Sequence, residues 1–207
     1  MKSFLTLPRA VAVLALLALG ACSSTFKTDY NAPVSRDLSA GWRLKDVQVV
    51  VPAALTVSEE PSVFPKADIV WREDKGTDRK AQIAKILDDA ATAGAQGLPG
   101  TRPVIVRLTV ARFHALTFEA EALPYQGVGV HNVIFNAEVL DAASGAVLAG
   151  PTLIEAQVPA YTGAEAVAKR KAGVTQKAVI SADVKRAIAG WLGIGPDPRM
   201  QFNRIGG

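Results

Sequence analysis

The chain of 207 residues carries a formal net charge of +4, is 49% hydrophobic and contains a single cysteine, Cys22. One cysteine excludes a disulfide within the chain, and if its thiol is acylated, thiolate metal sites and thiol catalysis are excluded as well. The charge does not indicate a nucleic-acid partner, because removal of a segment carrying Lys2 and Arg9 lowers it from +4 to +2.

The first residues have the order of a bacterial secretory signal, in which a short basic region precedes an apolar run. The run over residues 10–19 is far shorter than the ~20 apolar residues that a membrane-spanning helix needs. It ends in Leu19-Gly20-Ala21-Cys22, which resembles a lipobox, the signal for acylation of a cysteine and cleavage before it. We therefore predict a lipoprotein signal peptide over residues 1–21, recognised through Leu19, Gly20 and Ala21, and covalent lipid such as palmitate on Cys22. The alternative is an ordinary signal peptide cut near Ala21.

The position after the cleavage site predicts where the anchored protein resides. Aspartate there is the usual retention mark for the inner membrane in enteric bacteria, so Ser23 favours the outer membrane, with the protein facing the periplasm. The 207 residues less the 21 of the signal leave 186, which suits one domain. Residues 22–41 are polar and predict a flexible tether that reaches roughly 60–70 Å at ~3.3–3.6 Å per residue.

Residues 42–195 are predicted to form a single α+β domain, and residues 196–207 a loose C-terminal tail. Apolar residues at spacings of three, four and seven predict two helices, over residues 80–93 and 175–192. The charged segment over residues 164–171 is a short helix or a loop. Runs of β-branched or alternating residues predict strands over 46–51, 104–121, 130–140 and 147–158.

These elements have the order strand-helix-strand-strand-strand-helix. Both helices and the sheet have one apolar face each, so we expect an antiparallel sheet of about four strands with the two helices packed on one face. A hairpin centred near Gln126 would place His114 opposite Glu138 and separate His114 from His131 by on the order of 20 Å. That separation argues against a metal site shared by the two histidines.

No catalytic set is recognisable in the sequence. A Gly-x-Ser-x-Gly nucleophile turn is absent, and Asp88 and Asp89 are neighbours on a helix that point about 100° apart, as expected of a solvated face. We therefore expect a protein that is not an enzyme, with no metal and no cofactor beyond the lipid on Cys22.

Two kinds of side chain are candidates for contact with a partner. Trp71 and Tyr125 lie in predicted loops, where aromatic residues either anchor interfaces or cover the edge of a core. Lys169, Arg170 and Lys171 form a compact basic cluster that either meets anionic headgroups or an acidic partner, or is simply solvated.

Three segments that follow the lipobox carry a resemblance to a known group of proteins. They are Ala67-Asp68-Ile69-Val70-Trp71-Arg72, Arg112-Phe113-His114-Ala115-Leu116-Thr117, and residues 139–148 (VLDAASGAVL). Their order resembles an uncharacterised family of small lipoproteins from marine and photosynthetic alphaproteobacteria, which has no assigned function. More loosely, the hairpin with Asp141 and Gly145 resembles auxiliary lipoproteins of envelope lipid-transport systems and lipopolysaccharide-assembly factors, a likeness of fold alone.

Together these observations predict a non-enzymatic lipoprotein that is anchored in the membrane and binds a protein partner in an envelope transport or assembly complex. The alternative is a carrier or sensor that holds a lipid or another apolar ligand between the sheet and the helices. No nucleic-acid partner is expected.

Overall fold

The structure, a computed structural model, describes residues 23–205. The predicted signal peptide and Cys22 lie outside the described residues. Within them, seven strands form one open sheet: β1 (Ser23–Tyr30), β2 (Trp42–Val50), β3 (Ile69–Val70), β4 (Arg102–His114), β5 (Val130–Asp141), β6 (Val147–Pro159) and β7 (Met200–Ile205). The five helices of the same range are α1 (Arg36–Ser39), α2 (Arg79–Ala95), α3 (Phe118–Glu121), α4 (Gly163–Lys171) and α5 (Gln176–Trp191).

The sheet has the strand order β2-β4-β5-β6-β1-β7, with the short β3 also paired to β4. The pairs β4-β5 and β5-β6 are antiparallel, as predicted, and so are β6-β1 and β1-β7, which were not predicted. Strands β2 and β3 run parallel to β4, so the prediction of an antiparallel sheet is wrong for them. The reason is that α2 carries the chain back across the sheet, so β4 starts at the same end as β2. The α+β class is confirmed, whereas the expected four strands and two helices are an undercount.

The predicted tether and the predicted tail are both wrong as descriptions of residues 23–41 and 196–205. The first part of the predicted tether forms β1, and the last described part of the predicted tail forms β7. The two strands pair in antiparallel register with Phe26 opposite Phe202. These two rings stack with centroids 5.8 Å apart. Both ends of the described chain are therefore strands of the sheet.

Helices α2 and α5 pack together on one face of the sheet, as predicted. Gly94 permits this, because a Cβ at that position would lie 2.7 Å from the carbonyl oxygen of Lys185 on α5. The buried face of β4 alternates through Val104, Val106, Leu108 and Val110. Of the helices in the described part, none combines the length and apolar content required to cross a bilayer.

Strand β4 ends at His114, earlier than the predicted end at residue 121. The hydroxyl of Thr117 accepts a hydrogen bond from the amide of Ala120 at 3.1 Å and begins α3. This short helix shifts the hairpin register, so His114 pairs with Asn132 and Glu138 lies opposite Arg107. The expected His114–Glu138 contact is therefore wrong. The expected separation of His114 from His131 is wrong as well, because His131 adjoins the residue opposite His114.

Candidate functional site

An apolar groove opens at the end of the sheet where β4 stops and β5 begins. Its volume is about 610 Å³. Loop side chains form most of its walls, and β1 contributes Phe26. The main apolar lining consists of Val63, Phe64, Leu116, Leu123, Val128 and Val130. A groove of this size and lining is typical of sites that shelter the apolar part of a ligand.

Local hydrogen bonds and one glycine fix the loops that surround the apolar groove. The hydroxyl of Thr117 donates to the carbonyl of Ser62 at 2.8 Å, and the hydroxyl of Thr162 donates to the carbonyl of Tyr125 at 2.5 Å. Gly129 has φ +86° and would place a Cβ 3.2 Å from the methyl groups of Leu116. A larger residue there would be strained and would push into the groove wall.

The polar groups of the apolar groove are used mainly to hold its walls. Nε2 of His114 donates to the carbonyl of Ala67 at 2.5 Å, and Asn132 accepts a hydrogen bond from Gln157 at 3.2 Å. Burial lowers the pKa of His114, so its imidazole is neutral at neutral pH. Among the described residues, the lining includes no carboxylate. This arrangement suits binding of an apolar chain better than acid–base chemistry.

Of the two aromatic residues predicted as possible partner contacts, Tyr125 is exposed and Trp71 is buried. Tyr125 lies on the rim of the apolar groove with 64% of its surface exposed, and Phe64, on the same rim, is 70% exposed. Trp71 is fully buried, which contradicts its assignment as a surface contact. Its indole N–H donates to Asp74 at 3.1 Å, and its ring meets Phe113 edge-to-face at 5.8 Å.

None of the sequence patterns predicted the apolar groove. Many of its lining residues lie around 61–66 and 123–129, outside the helices and strands that the sequence predicts. One available signal was Phe64, a large apolar residue placed next to Pro65 in a segment with no helical or alternating pattern. An aromatic residue in such a segment has no regular element to bury it, so it is a candidate for a surface site.

Two side chains of the predicted basic cluster, Arg170 and Lys169, make contacts within the protein. The guanidinium of Arg170 bonds Glu121 at 2.6 Å and Glu73 at 3.3 Å. The ammonium of Lys169 lies 4.8 Å from the centre of the Tyr161 ring, whereas Lys171 is exposed. The role of Lys169 and Lys171 as partner contacts stays a prediction.

Arg170 fastens the end of α4 to the start of α5. Glu73, one of its partners, also accepts hydrogen bonds from the backbone amides of Gln176 and Lys177, at 3.1 and 2.8 Å. A carboxylate at this position is favourable, because the first amides of a helix have no partner inside it. Ion pairing with Glu121 raises the pKa of Arg170, which keeps it charged.

His131 lies beneath this cluster and is fully buried. Its Nδ1 has no hydrogen-bond partner within the described residues. Burial lowers the pKa of His131 to about 3, so it is neutral at neutral pH. The cavity beside it measures about 10 Å³, room for one water molecule at most. A substrate does not fit there, so the cluster around His131 is structural.

Replacing Arg170 with methionine is expected to lower the free energy of unfolding by about 1–2 kcal/mol. The carboxylates of Glu121 and Glu73 are largely buried and lose a charged partner, while the 42% exposure of Arg170 limits the loss. The matched change Lys171→Met removes a neighbouring exposed charge and should cost no more than about 0.5 kcal/mol. Urea unfolding of both variants measures the difference. Equal effects would contradict the role of Arg170 as the fastening between α4 and α5.

Comparison with known proteins gives a family but no function. Residues 42–207 match the model of a family described as Family of unknown function (DUF6778). No curated protein matches the chain.

Solved structures resemble the chain only weakly. PelC from Paraburkholderia phytofirmans, solved as a dodecamer, is 8% identical, with 80% of this chain and 96% of that chain covered and a TM-score of 0.33. A Xanthomonas campestris protein of family DUF330 is 13% identical, with coverages of 78% and 86% and a TM-score of 0.40. A candidate lipoprotein from Caulobacter crescentus CB15 is 17% identical, with coverages of 75% and 92% and a TM-score of 0.30. Similarities of this size support no inference about function or assembly.

Proposed function

The chain belongs to the family of unknown function that matches residues 42–207, and we propose that it is a non-enzymatic, lipid-anchored protein of the cell envelope that binds an apolar ligand. The ligand is the hydrocarbon chain of a lipid-like molecule. The observation that carries the proposal is the apolar groove of about 610 Å³ with its exposed aromatic rim. The anchor is the lipid on Cys22, and the outer membrane, facing the periplasm, is the proposed location.

The apolar groove supports the carrier alternative, but at a different place from the one expected. The space between the sheet and the helices is filled by large buried side chains such as Phe135, Leu87 and Ile188. The groove lies instead at the end of the sheet, where loops rather than helices form the walls. Its volume of about 610 Å³ lies within the range of roughly 300–1,000 Å³ that is usual for small-molecule sites.

The proposal is tested with cis-parinaric acid, a fluorescent fatty acid, added to the purified protein. We expect saturable binding at one site, and we expect Val63→Asp to weaken it by about tenfold or more, because a carboxylate in the wall must lose its water when the chain enters. Leu38→Asp is the matched control, since Leu38 is 53% exposed and lies on α1, near the start of β4 at the other end of the sheet.

A melting curve of each variant shows whether it folds, and Val128→Asp supplies a second change in the groove wall. Absence of binding by the unaltered protein would overturn the proposal. So would equal binding by the unaltered protein and by both folded groove variants.

A protein partner in an envelope transport or assembly complex remains a second candidate. One observation favours it: β7 is an outer strand of the sheet, and an outer strand can pair with a strand from another protein. Affinity purification of the lipidated protein from membranes, with Cys22→Ala as control, tests it. A specific complex that is lost in the control would support this candidate, and recovery of the protein alone with bound lipid would exclude it.

A further inference from the structure

Ser23, which follows the predicted anchor Cys22 in the sequence, begins β1 at the end of the sheet where the apolar groove opens. Thr28 of β1 pairs with Ala156 of β6, which pairs with Val133 of β5. Strands β1 and β5 run in the same direction, so the first residues of β1 lie level with the start of β5. Phe26 accordingly forms part of the groove wall.

This placement leaves no spacer between the anchor and the folded domain. Ser23, the first residue of β1, directly follows Cys22 in the sequence. Consecutive Cα atoms are about 3.8 Å apart. Acyl chains on Cys22 would therefore hold the groove end of the sheet at the surface of the bilayer, not tens of ångströms above it.

The chemistry of this end suits the boundary between lipid and water. Phe64 and Tyr125 stand exposed on the rim of the apolar groove. Aromatic side chains that are exposed in water are favoured at the level of the lipid headgroups. Transfer of a Phe side chain from water into the bilayer is favourable, because its apolar surface is removed from water.

Three cations lie around the same rim. Arg112 lines the apolar groove, Lys66 follows the rim residue Pro65, and Nη1 of Arg204 lies 3.4 Å from where a Cβ on Gly127 would be. Among the ion pairs of residues 23–205, none involves these three side chains. Asp68 offsets part of the charge: hydrogen bonds from Thr56, and to a lesser degree the nearby Arg112, lower its pKa, so it is ionised.

We propose that the groove end of the sheet is the membrane-contacting face of the protein and that the apolar groove takes up an acyl chain of an anionic phospholipid from the bilayer that holds Cys22. Lys66, Arg112 and Arg204 meet anionic headgroups of that bilayer, while Phe64 and Tyr125 enter the headgroup layer. This inference rests on the proposed function, because it requires both the lipid on Cys22 and binding of a hydrocarbon chain in the groove.

The test uses a chain that starts at Ser23 and so lacks the anchor but keeps the core of the described domain. Its flotation is measured with vesicles of phosphatidylethanolamine and phosphatidylglycerol, and with vesicles of phosphatidylcholine alone. We expect binding to the first kind, and we expect the double variant Phe64→Ser, Tyr125→Ser to lose about tenfold or more in affinity. Leu38→Ser, at the opposite end of the sheet, is the control and should bind as the unaltered protein does.

The cations are tested by Arg112→Gln and Lys66→Gln. Each is expected to weaken binding to the anionic vesicles by about fivefold, because one cation near an anionic surface contributes roughly 1 kcal/mol. Binding to phosphatidylcholine vesicles should not change.

Failure of the membrane proposal can be told apart from failure of the proposed function, because cis-parinaric acid is measured with the same proteins. Uptake of the fatty acid without any vesicle binding would overturn the membrane proposal and leave the ligand-binding function standing. Equal loss of vesicle binding in the rim variant and in Leu38→Ser would also overturn it. Absence of both activities would overturn both proposals.

Discussion

A His131→Leu variant is expected to resist acid unfolding much better than the unaltered protein. In the unfolded chain this histidine binds a proton below its ordinary pKa of 6.5, but burial lowers the pKa of the folded state to about 3. Between these two values the unfolded state binds more protons, so the free energy of unfolding falls as the pH falls. The loss is about 1.4 kcal/mol per pH unit, and leucine removes it.

Urea unfolding of both proteins between about pH 7.5 and about pH 4.5 measures this effect. Near neutral pH we expect similar stability, because His131 is then uncharged in both states. Near pH 4.5 the leucine variant should be more stable by about 3 kcal/mol. Carboxylates that titrate in this range are common to both proteins and cancel in the difference. Parallel curves would contradict the burial of a neutral histidine at this position.

Trp71→Ala is expected to lower the free energy of unfolding by about 3–5 kcal/mol. The ring is fully buried against Phe113, and its removal also leaves Asp74 without the indole N–H that now binds it. Tyr125→Ala, by contrast, removes an exposed ring and should change the stability by no more than about 0.5 kcal/mol.

Thermal and urea unfolding of the two variants provide the comparison, and the fatty-acid assay completes it. Tyr125→Ala should stay folded and bind cis-parinaric acid more weakly, since Tyr125 lines the rim of the apolar groove. Small and equal changes in stability for both variants would mean that Trp71 is not a core residue.

The elements that the sequence predicted well are those whose pattern is local. Helix α2 extends from Arg79 to Ala95 against a predicted 80–93, and β5 from Val130 to Asp141 against 130–140. In both, residues a few positions apart share the buried face, so the period is readable without knowledge of partners. Strands β1 and β7 were missed because their pairing is distant in sequence: Thr25 donates its hydroxyl hydrogen to Asn203, 178 residues away.

The site was harder to predict than the fold for a physical reason. A groove wall built from loops has no period, and its residues are assembled by hydrogen bonds such as Thr117 to Ser62 and Thr162 to Tyr125. Trp71, by contrast, was predicted to lie in a loop but is buried in the core. It follows the apolar pair Ile69-Val70, which forms β3 against the end of β4, and this short pairing buries the ring. Two residues are too few for an alternating pattern to identify a strand.

The most direct test of ligand binding in the apolar groove is native mass spectrometry of the lipidated protein, extracted from its own membranes in a mild detergent. We expect one additional lipid, held without a covalent bond, in the unaltered protein and in the Leu38→Asp control, and its loss in Val63→Asp. A protein that carries only its covalent lipid, or a bound lipid that persists in Val63→Asp, would contradict the assignment of the groove as the binding site.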